Sequence, residues 1–256
     1  MLRLLKGLLG RSSERTQGAE RRSHLYMDEL PDTLYAIGDI HGCIDQLVRL
    51  EDMIKRDADR EPGSKVMIRL GDYVDRGPDS AAVLDRLTQP TRSDLRAINL
   101  AGNHEAVMLD FLRNPRPDHE WLNFGGIQTL HSYGIYKIPQ RSRDLANVIA
   151  AHVPEEHFTL LETLPSLASF PGYTFVHAGA EPGLALQDHG DDILLWKRPS
   201  TKPETYPYVL VHGHTPVERV EVINGRINVD TGAYATGNLS AVKIRKSGEI
   251  SVISCN

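Results

Sequence analysis

The chain has 256 residues with 40% hydrophobic and 25% charged side chains, the make-up of one soluble globular domain and not of a disordered or collagen-like chain. Two cysteines, Cys43 and Cys255, exclude a disulfide-stapled scaffold and point to a reducing, cytoplasmic location, and no apolar run approaches the ~20 residues of a membrane-spanning helix. The net charge of −5 is uneven: residues 1–24 carry six basic and two acidic side chains, a net +4, which leaves −9 on the other 232 residues and makes the body a poor partner for nucleic acid.

In chain order, the first candidate element is the stretch Leu2, Leu4, Leu5, Leu8 and Leu9 interleaved with Arg3, Lys6 and Arg11. As a helix it would be basic and amphipathic, able to lie on a membrane surface. It is only about ten residues long, marginal as an isolated helix, and Lys6-Gly7 makes it a poor secretory signal. Residues 1–30 are therefore expected as a basic, flexible tail and 31–256 as one domain.

From Thr33 the pattern becomes regular. The apolar runs 34–37, 66–70 and 95–100 predict strands. Each is followed by residues at helical spacing: Leu47, Leu50, Met53 and Ile54, then Ala81–Leu87, then Val107–Leu112. Strand and helix alternating in this way read as βαβ units with a parallel sheet. Residues 115–165 read as helical and irregular, with Trp121 and the pair Gly125-Gly126. Beyond Leu167, Pro171-Gly172, Asn224-Gly225 and Ser247-Gly248 each divide two β-prone runs and predict hairpins.

The early strands end in GDIHG (38–42), GDYVDRG (71–77) and GNHE (102–105), and two later ones in VHAG (176–179) and VHGHT (211–215). In open α/β sheets ligands bind at the carboxyl ends of strands. Five of eleven histidines lie in these loops: His41, His104, His177, His212 and His214. The other six, His24, His119, His131, His152, His157 and His189, are read as solvated or internally satisfied. Carboxylate, carboxamide and imidazole donors suit divalent ions such as Mn²⁺, Fe²⁺ or Zn²⁺. The scarcity of cysteine argues against a structural zinc site.

These blocks, in this order, resemble the phosphoprotein phosphatase (PPP) family of calcineurin-like metallophosphoesterases, bacterial type, from about Leu34 to Ala233. The spacings of 33 residues from Gly38 to Gly71 and 31 from Gly71 to Gly102 fit it too. The resemblance implies an α/β fold, a four-layer αββα sandwich of two mixed β-sheets with a dimetal site at strand ends. It implies two divalent metal ions, Mn²⁺ expected and Fe or Zn as alternatives. Asp72 would bridge them, with Asp39 and His41 on the first and Asn103, His177 and His214 on the second. His212 precedes the matched block and is expected to be structural.

The implied reaction is hydrolysis of phosphoserine or phosphothreonine, and of phosphotyrosine as a further substrate, by direct attack of a metal-bridging hydroxide. His104 would protonate the leaving group and Asp75 would orient it, while Arg76 and Arg198 would grip phosphate oxygens. A phosphoprotein or small phosphate ester is the expected partner. Thr215-Pro216 stands where much of the wider superfamily has a further histidine, which counts against a nuclease. The chain lacks the S-A-P-N-Y-C segment of the large eukaryotic enzymes. The alternative reading is a nucleotide hydrolase such as a symmetrical diadenosine tetraphosphatase. Glu105 is expected near a helix start, Cys43 as a packed side chain and Tyr234 at the substrate cleft, while Asp230-Thr231-Gly232 closes a β-run near the site and reads equally as a simple turn.

Overall fold

A computed structural model describes residues 21–198, 200 and 204–256. Strands β2 (Thr33–Ile37), β3 (Lys65–Arg69) and β4 (Arg96–Asn99) pair in parallel. The helices between and after them are α1 (Ile44–Ala58), α2 (Ser80–Thr88) and α3 (Asn103–Arg113). The last two strands, β10 (Leu239–Arg245) and β11 (Ile250–Cys255), add antiparallel on the free side of β2, giving a mixed sheet in the order β11-β10-β2-β3-β4.

The second sheet is also mixed. It holds β1 (His24–Tyr26), β5 (Leu167–Phe170), β6 (Tyr173–Val176), β7 (Val209–His212), β8 (Glu221–Ile223) and β9 (Arg226–Asn228), in the order β1-β5-β6-β7-β9-β8. The turns 171–172 and 224–225 close hairpins β5–β6 and β8–β9 in this sheet, as predicted, and 246–249 closes β10–β11 in the first.

Alternation along the strands sets the layers. Leu34, Ala36, Val66 and Ile68 face the second sheet and meet Ala168, Phe175, Val211 and Ile227. Tyr35, Ile37 and Met67 face the other way, onto Leu47, Leu50 and Ile54 of α1 and Val83 and Leu84 of α2. Covered on both faces, β2 is buried throughout, which is why its sequence reads as one apolar run.

The middle segment supplies a 3₁₀ turn (Glu120–Asn123) and helices α4 (Gly126–Ser132), α5 (Ser142–His152) and α6 (Glu155–Thr163) to the same helical layer. The fourth layer is thin. Leu167, Val176 and Leu210 on the outer face of the second sheet are covered by Ala180, Leu186, Tyr206 and Tyr208 and by Leu194 of the four-residue helix α7 (Asp191–Leu194). A last short helix, α8 (Ala233–Thr236), follows β9.

One expected boundary moves. His24–Tyr26 lie within the predicted tail, yet they pair in register with Leu167–Ser169. Arg22 donates to the carbonyls of Leu161 and Leu164 at 2.7 and 3.2 Å. Chain from Arg22 onward thus packs against the body because β5 has an open edge, a tertiary cause with no local signal. The leucine-rich stretch 2–9 lies outside the described residues.

Candidate metal centre

The carboxyl ends of β2, β3, β4, β6 and β7 converge on one edge of the sandwich, and each carries one of the five motifs. The backbone there is strained. His41, Asp72, Asp75, Arg76 and His214 all have φ between 45° and 73°, a region that disfavours side-chain-bearing residues by roughly 1–3 kcal/mol each. Glu105 holds much of this strained set in place. Its Oε2 accepts the backbone N–H groups of Asp72 and Gly102, both at 2.8 Å, and its Oε1 accepts those of Tyr73 and Val74 at 2.7 and 3.2 Å. One buried carboxylate therefore joins the start of α3 to the GDYVD loop, a larger role than the expected cap.

Five of the six predicted ligands, His41, Asp72, Asn103, His177 and His214, lie in this cluster. His41 Nδ1 donates to the carbonyl of Val74 at 2.8 Å, and His177 Nδ1 to that of Leu70 at 3.0 Å. Each ring is thereby turned with its Nε2 facing inward, the usual way a protein orients an imidazole for a cation. His177 Nε2 lies 3.3 Å from Asp72 Oδ1 and 2.9 Å from Asn103 Oδ1. His214 Nδ1 lies 3.0 Å from the same Asn103 oxygen.

Donor atoms of Asp72, His177 and His214 fall within 4.8 Å of one another, as do those of His41, Asp72 and His104. Asp72 belongs to both groups, as a bridging carboxylate must. Asp39 stands slightly apart, accepting the His214 backbone N–H at 3.1 and 3.2 Å on its two oxygens.

The electrostatics call for cations. Asp39, Asp72 and Asp230 are all buried, and among the described residues no Lys or Arg pairs with any of them. Burial and the neighbouring Asp230 push the Asp39 carboxyl well above the usual range. Burial lowers His41 to about 3, and burial together with His177 does the same to His214. Burial also works against the charged form of His177, but Asp72, Asp39 and Glu105 outweigh it and lift that ring to about 10. Several oxygens crowded with the neutral imidazoles of His41 and His214 in a buried cluster fit divalent ions of intermediate hardness.

Beside the cluster lies a candidate proton-transfer pair. His104 Nδ1 is 2.6 Å from Asp75 Oδ2, both side chains being buried. Arg76 donates to His104 Nε2 at 3.3 Å, so in this arrangement the ring proton sits on Nδ1 and is donated to Asp75. Trp121 Nε1 also donates to Asp75 Oδ2, at 2.9 Å, and Thr129 Oγ1 donates to Oδ1 at 2.7 Å.

The exposed ring of Phe124 stacks on His104 with centroids 4.2 Å apart. Tyr234, also exposed, meets His41 edge-on at 5.2 Å and lies under the Arg76 guanidinium at 4.8 Å. That is the rim position expected of it. Trp196 completes an aromatic rim, 6.2 Å from Phe124 and 6.5 Å from His214.

Arg198 is exposed, and its charge depresses the His214 imidazole, which places it within electrostatic reach of the cluster. His212 is buried outside both ligand groups, its Nδ1 3.1 Å from the carbonyl of Gly213, as the structural reading expected. Burial raises the Cys43 thiol to about 11, so it is inert packing. Of the remaining histidines, His119, His157 and His189 are buried and satisfied: His119 by Asp110, His157 by Tyr133 and Asp85, His189 by Glu181 N–H and the Ala185 carbonyl.

Sequence reasoning leaves Asp230 open between a place near the site and a simple turn, and it does not single out the donors Trp121 and Thr129. The signal nearest to the latter was Gly125-Gly126. A side chain at Gly125 would lie 2.9 Å from Asp75 Cβ, and one at Gly126 would meet the Trp121 ring at 2.4 Å. The pair is thus the condition for the close docking of this segment on the Asp75-Arg76 loop.

The chain is similar to the asymmetrical bis(5'-nucleosyl)-tetraphosphatase PrpE of Halalkalibacterium halodurans, with 27% identity over 242 residues, 85% of this chain and 92% of that protein. It is similar to serine/threonine-protein phosphatase 2 of Salmonella typhimurium at 26% over 226 residues, 83% and 93% of the two chains.

Among solved structures, one provisionally named a diadenosine tetraphosphatase superposes with a TM-score of 0.60 at 24% identity, over 91% of this chain and 98% of that one. The cold-active protein-tyrosine phosphatase of a Shewanella species gives 0.55 at 18%, over 90% and 81%. Both of these likenesses are of fold alone. Residues 33–254 match the calcineurin-like phosphoesterase family, and with its motifs gathered at one sheet edge the chain belongs to that family.

Proposed function

We propose that this metallophosphatase is a phosphomonoesterase acting on phosphoserine and phosphothreonine, with phosphotyrosine as a further substrate. The observation that carries the reading is the His104–Asp75 pair set beside the ligand cluster, with Arg76 between it and the rim. A buried acid with its own orienting carboxylate is needed when the leaving group is a basic alkoxide, as serine and threonine are.

The residues fit a dimetal centre. Asp39, His41 and Asp72 would hold one ion, and Asp72, Asn103, His177 and His214 the other. Divalent cations bound there would supply positive charge against the phosphate oxygens and lower the pKa of a coordinated water toward neutrality. Mn²⁺ is the proposed metal, with Fe²⁺ or Zn²⁺ served by the same donors.

The chain's own groups do the rest. Arg76 presents its planar fork to phosphate oxygens, held in aim by Tyr234. Arg198 is a second arm on the solvent side. With Arg76 turned to the phosphate, His104 takes up a second ring proton from solvent at Nε2 and gives it to the leaving oxygen, while its Nδ1–H stays on Asp75, which stabilises the imidazolium. Phe124 and Trp196 would bound the approach of the leaving group.

A second reading is a dinucleoside polyphosphate hydrolase. It is supported by the printed name of PrpE and by the aromatic rim, on which a base could stack. The expected variant was the symmetrical tetraphosphatase, whereas the named relatives are asymmetrical. A Mn²⁺-loaded panel of phosphoserine, phosphothreonine and phosphotyrosine peptides against diadenosine tetraphosphate separates the two readings. Higher kcat/KM on the peptides is expected. A hundredfold preference for the dinucleotide would overturn the phosphomonoesterase reading.

A further inference from the structure

We infer that Trp121 and Thr129 are positioning residues for proton transfer, and that the segment 120–132 forms the back of the catalytic pair. The inference rests on the reading of His104 as the proton donor.

Asp75 is buried, and burial alone raises its carboxyl. It also sits next in sequence to Arg76, with both residues in the left-handed region. A carboxylate so placed has two competing attractions, the guanidinium beside it and any cations bound in the centre. Either would turn it away from His104, and the first would also take Arg76 away from substrate.

The structure blocks both. Oδ1 is occupied by the Thr129 hydroxyl at 2.7 Å, and Oδ2 is shared by His104 Nδ1 at 2.6 Å and Trp121 Nε1 at 2.9 Å. The Thr129 oxygen also accepts the Asp75 backbone N–H at 2.9 Å, so one hydroxyl fixes both backbone and side chain of this strained residue. Among the described residues, no ion pair forms between Asp75 and Arg76. Hydrogen bonds from neutral donors aim the carboxylate and offset part of the cost of burying its charge, without adding charge of their own.

Phe124 closes the arrangement from the solvent side. It lies flat on the His104 ring, with an interplanar angle of 14°, and leaves Nε2 facing the cluster. The segment reaches this position only because Gly125 and Gly126 lack side chains.

A purely structural role would slow all substrates alike. A positioning role slows those whose leaving group needs the proton. The test compares kcat on a phosphoserine peptide with kcat on an activated aryl phosphate, using Mn²⁺-loaded enzyme with metal content measured for each variant. Thr129→Val should lose about tenfold on the peptide and no more than about threefold on the aryl ester. Thr129→Ser, which keeps the hydroxyl, should return both to within about twofold of wild type. Trp121→Phe, which keeps a ring and removes the donor, should repeat the Thr129→Val pattern.

His104→Asn in the same assay separates the two levels of the argument. If it slows both substrates equally, the reading of His104 as the acid falls, and this inference with it. If it shows the selective loss while Thr129→Val and Trp121→Phe slow both substrates equally, or Ser fails to rescue, the acid stands and the positioning role is overturned. A readout free of metal and turnover is the indole N–H resonance of Trp121, which should move upfield in Asp75→Asn as its charged acceptor is lost; an unmoved resonance would contradict the contact.

Discussion

The carboxylate of Glu105 receives the backbone N–H of Asp72 at 2.8 Å, so the residue shared by both candidate ion sites is held by a fully buried neighbour. Three further N–H groups, of Gly102, Tyr73 and Val74, end on the same side chain. Glu105→Ala leaves all four donors buried and unpaired. Stability should fall by about 3 kcal/mol or more, and affinity for Mn²⁺ should fall with it. Urea unfolding of the metal-free protein and a metal titration check the two parts. Near-wild-type stability would show that water takes over the four N–H groups.

Asp72→Asn should empty or cripple both ion sites, because it removes the one carboxylate common to them. His212→Ala should keep its metals, since that ring lies outside both groups. Metal analysis of the purified variants decides it. Loss of an ion from His212→Ala, with full occupancy in His214→Ala, would reverse the assignment of the two histidines.

His104→Asn should lower kcat on phosphoserine peptides by ~10²–10⁴-fold with both metals retained, the typical worth of a placed proton donor. An activated aryl phosphate leaves as a weaker base and should lose less. Asp75→Asn should show a milder form of the same pattern. Equal losses on the two substrates would assign His104 to phosphate binding instead.

Away from the site, buried Glu51 on α1 receives Arg69 through Nε at 3.0 Å and Arg86 through Nη2 at 2.7 Å, tying α1 to β3 and α2. Removing one partner from such a buried group costs about 3–5 kcal/mol, and Glu51→Ala should destabilise by that order. Burial opposes ionisation of Glu51, but the two arginines outweigh it and hold the carboxyl below its ordinary 4.5. A folded-state value below the unfolded one contributes stability above pH 4.5 and loses it as the pH falls through the folded value. The stability difference between wild type and Glu51→Gln should therefore be constant from pH 5 to 8 and narrow below about 4.5. A difference that persists unchanged at pH 3 would exclude the ionic origin.

Two truncations locate the functional start of the body. Deleting residues 1–20 should leave aryl phosphate turnover close to wild type, since every motif lies beyond them. Deleting 1–27 also removes Arg22 and the strand paired with β5, and should lower the melting temperature by several degrees. Identical melting curves for the two truncations would make β1 dispensable.

The sequence by itself determined the order of elements around the parallel strands, the hairpins after Leu167 and which motifs would meet at one sheet edge, with the candidate ligands among them named through the family resemblance. The reason is local. Each motif is a few contiguous residues at the end of an apolar run, where glycine permits the turn and the donor follows directly. Any fold that builds a parallel sheet from those runs brings their ends to one edge.

What only the tertiary structure decided are relationships between distant positions. Trp121 and Thr129 stand 46 and 54 residues from Asp75 and carry no periodic signal. Asp230 joins Asp39 only because β9 ends beside the first motif's loop. Glu51 reads as a solvated helix residue until Arg69 and Arg86 arrive from β3 and α2, and His24–Tyr26 become a strand only where β5 offers an unpaired edge. A side chain's chemistry is written at its own position, whereas which charge or donor it meets is set by packing, and in this protein that packing sets His104 against Asp75.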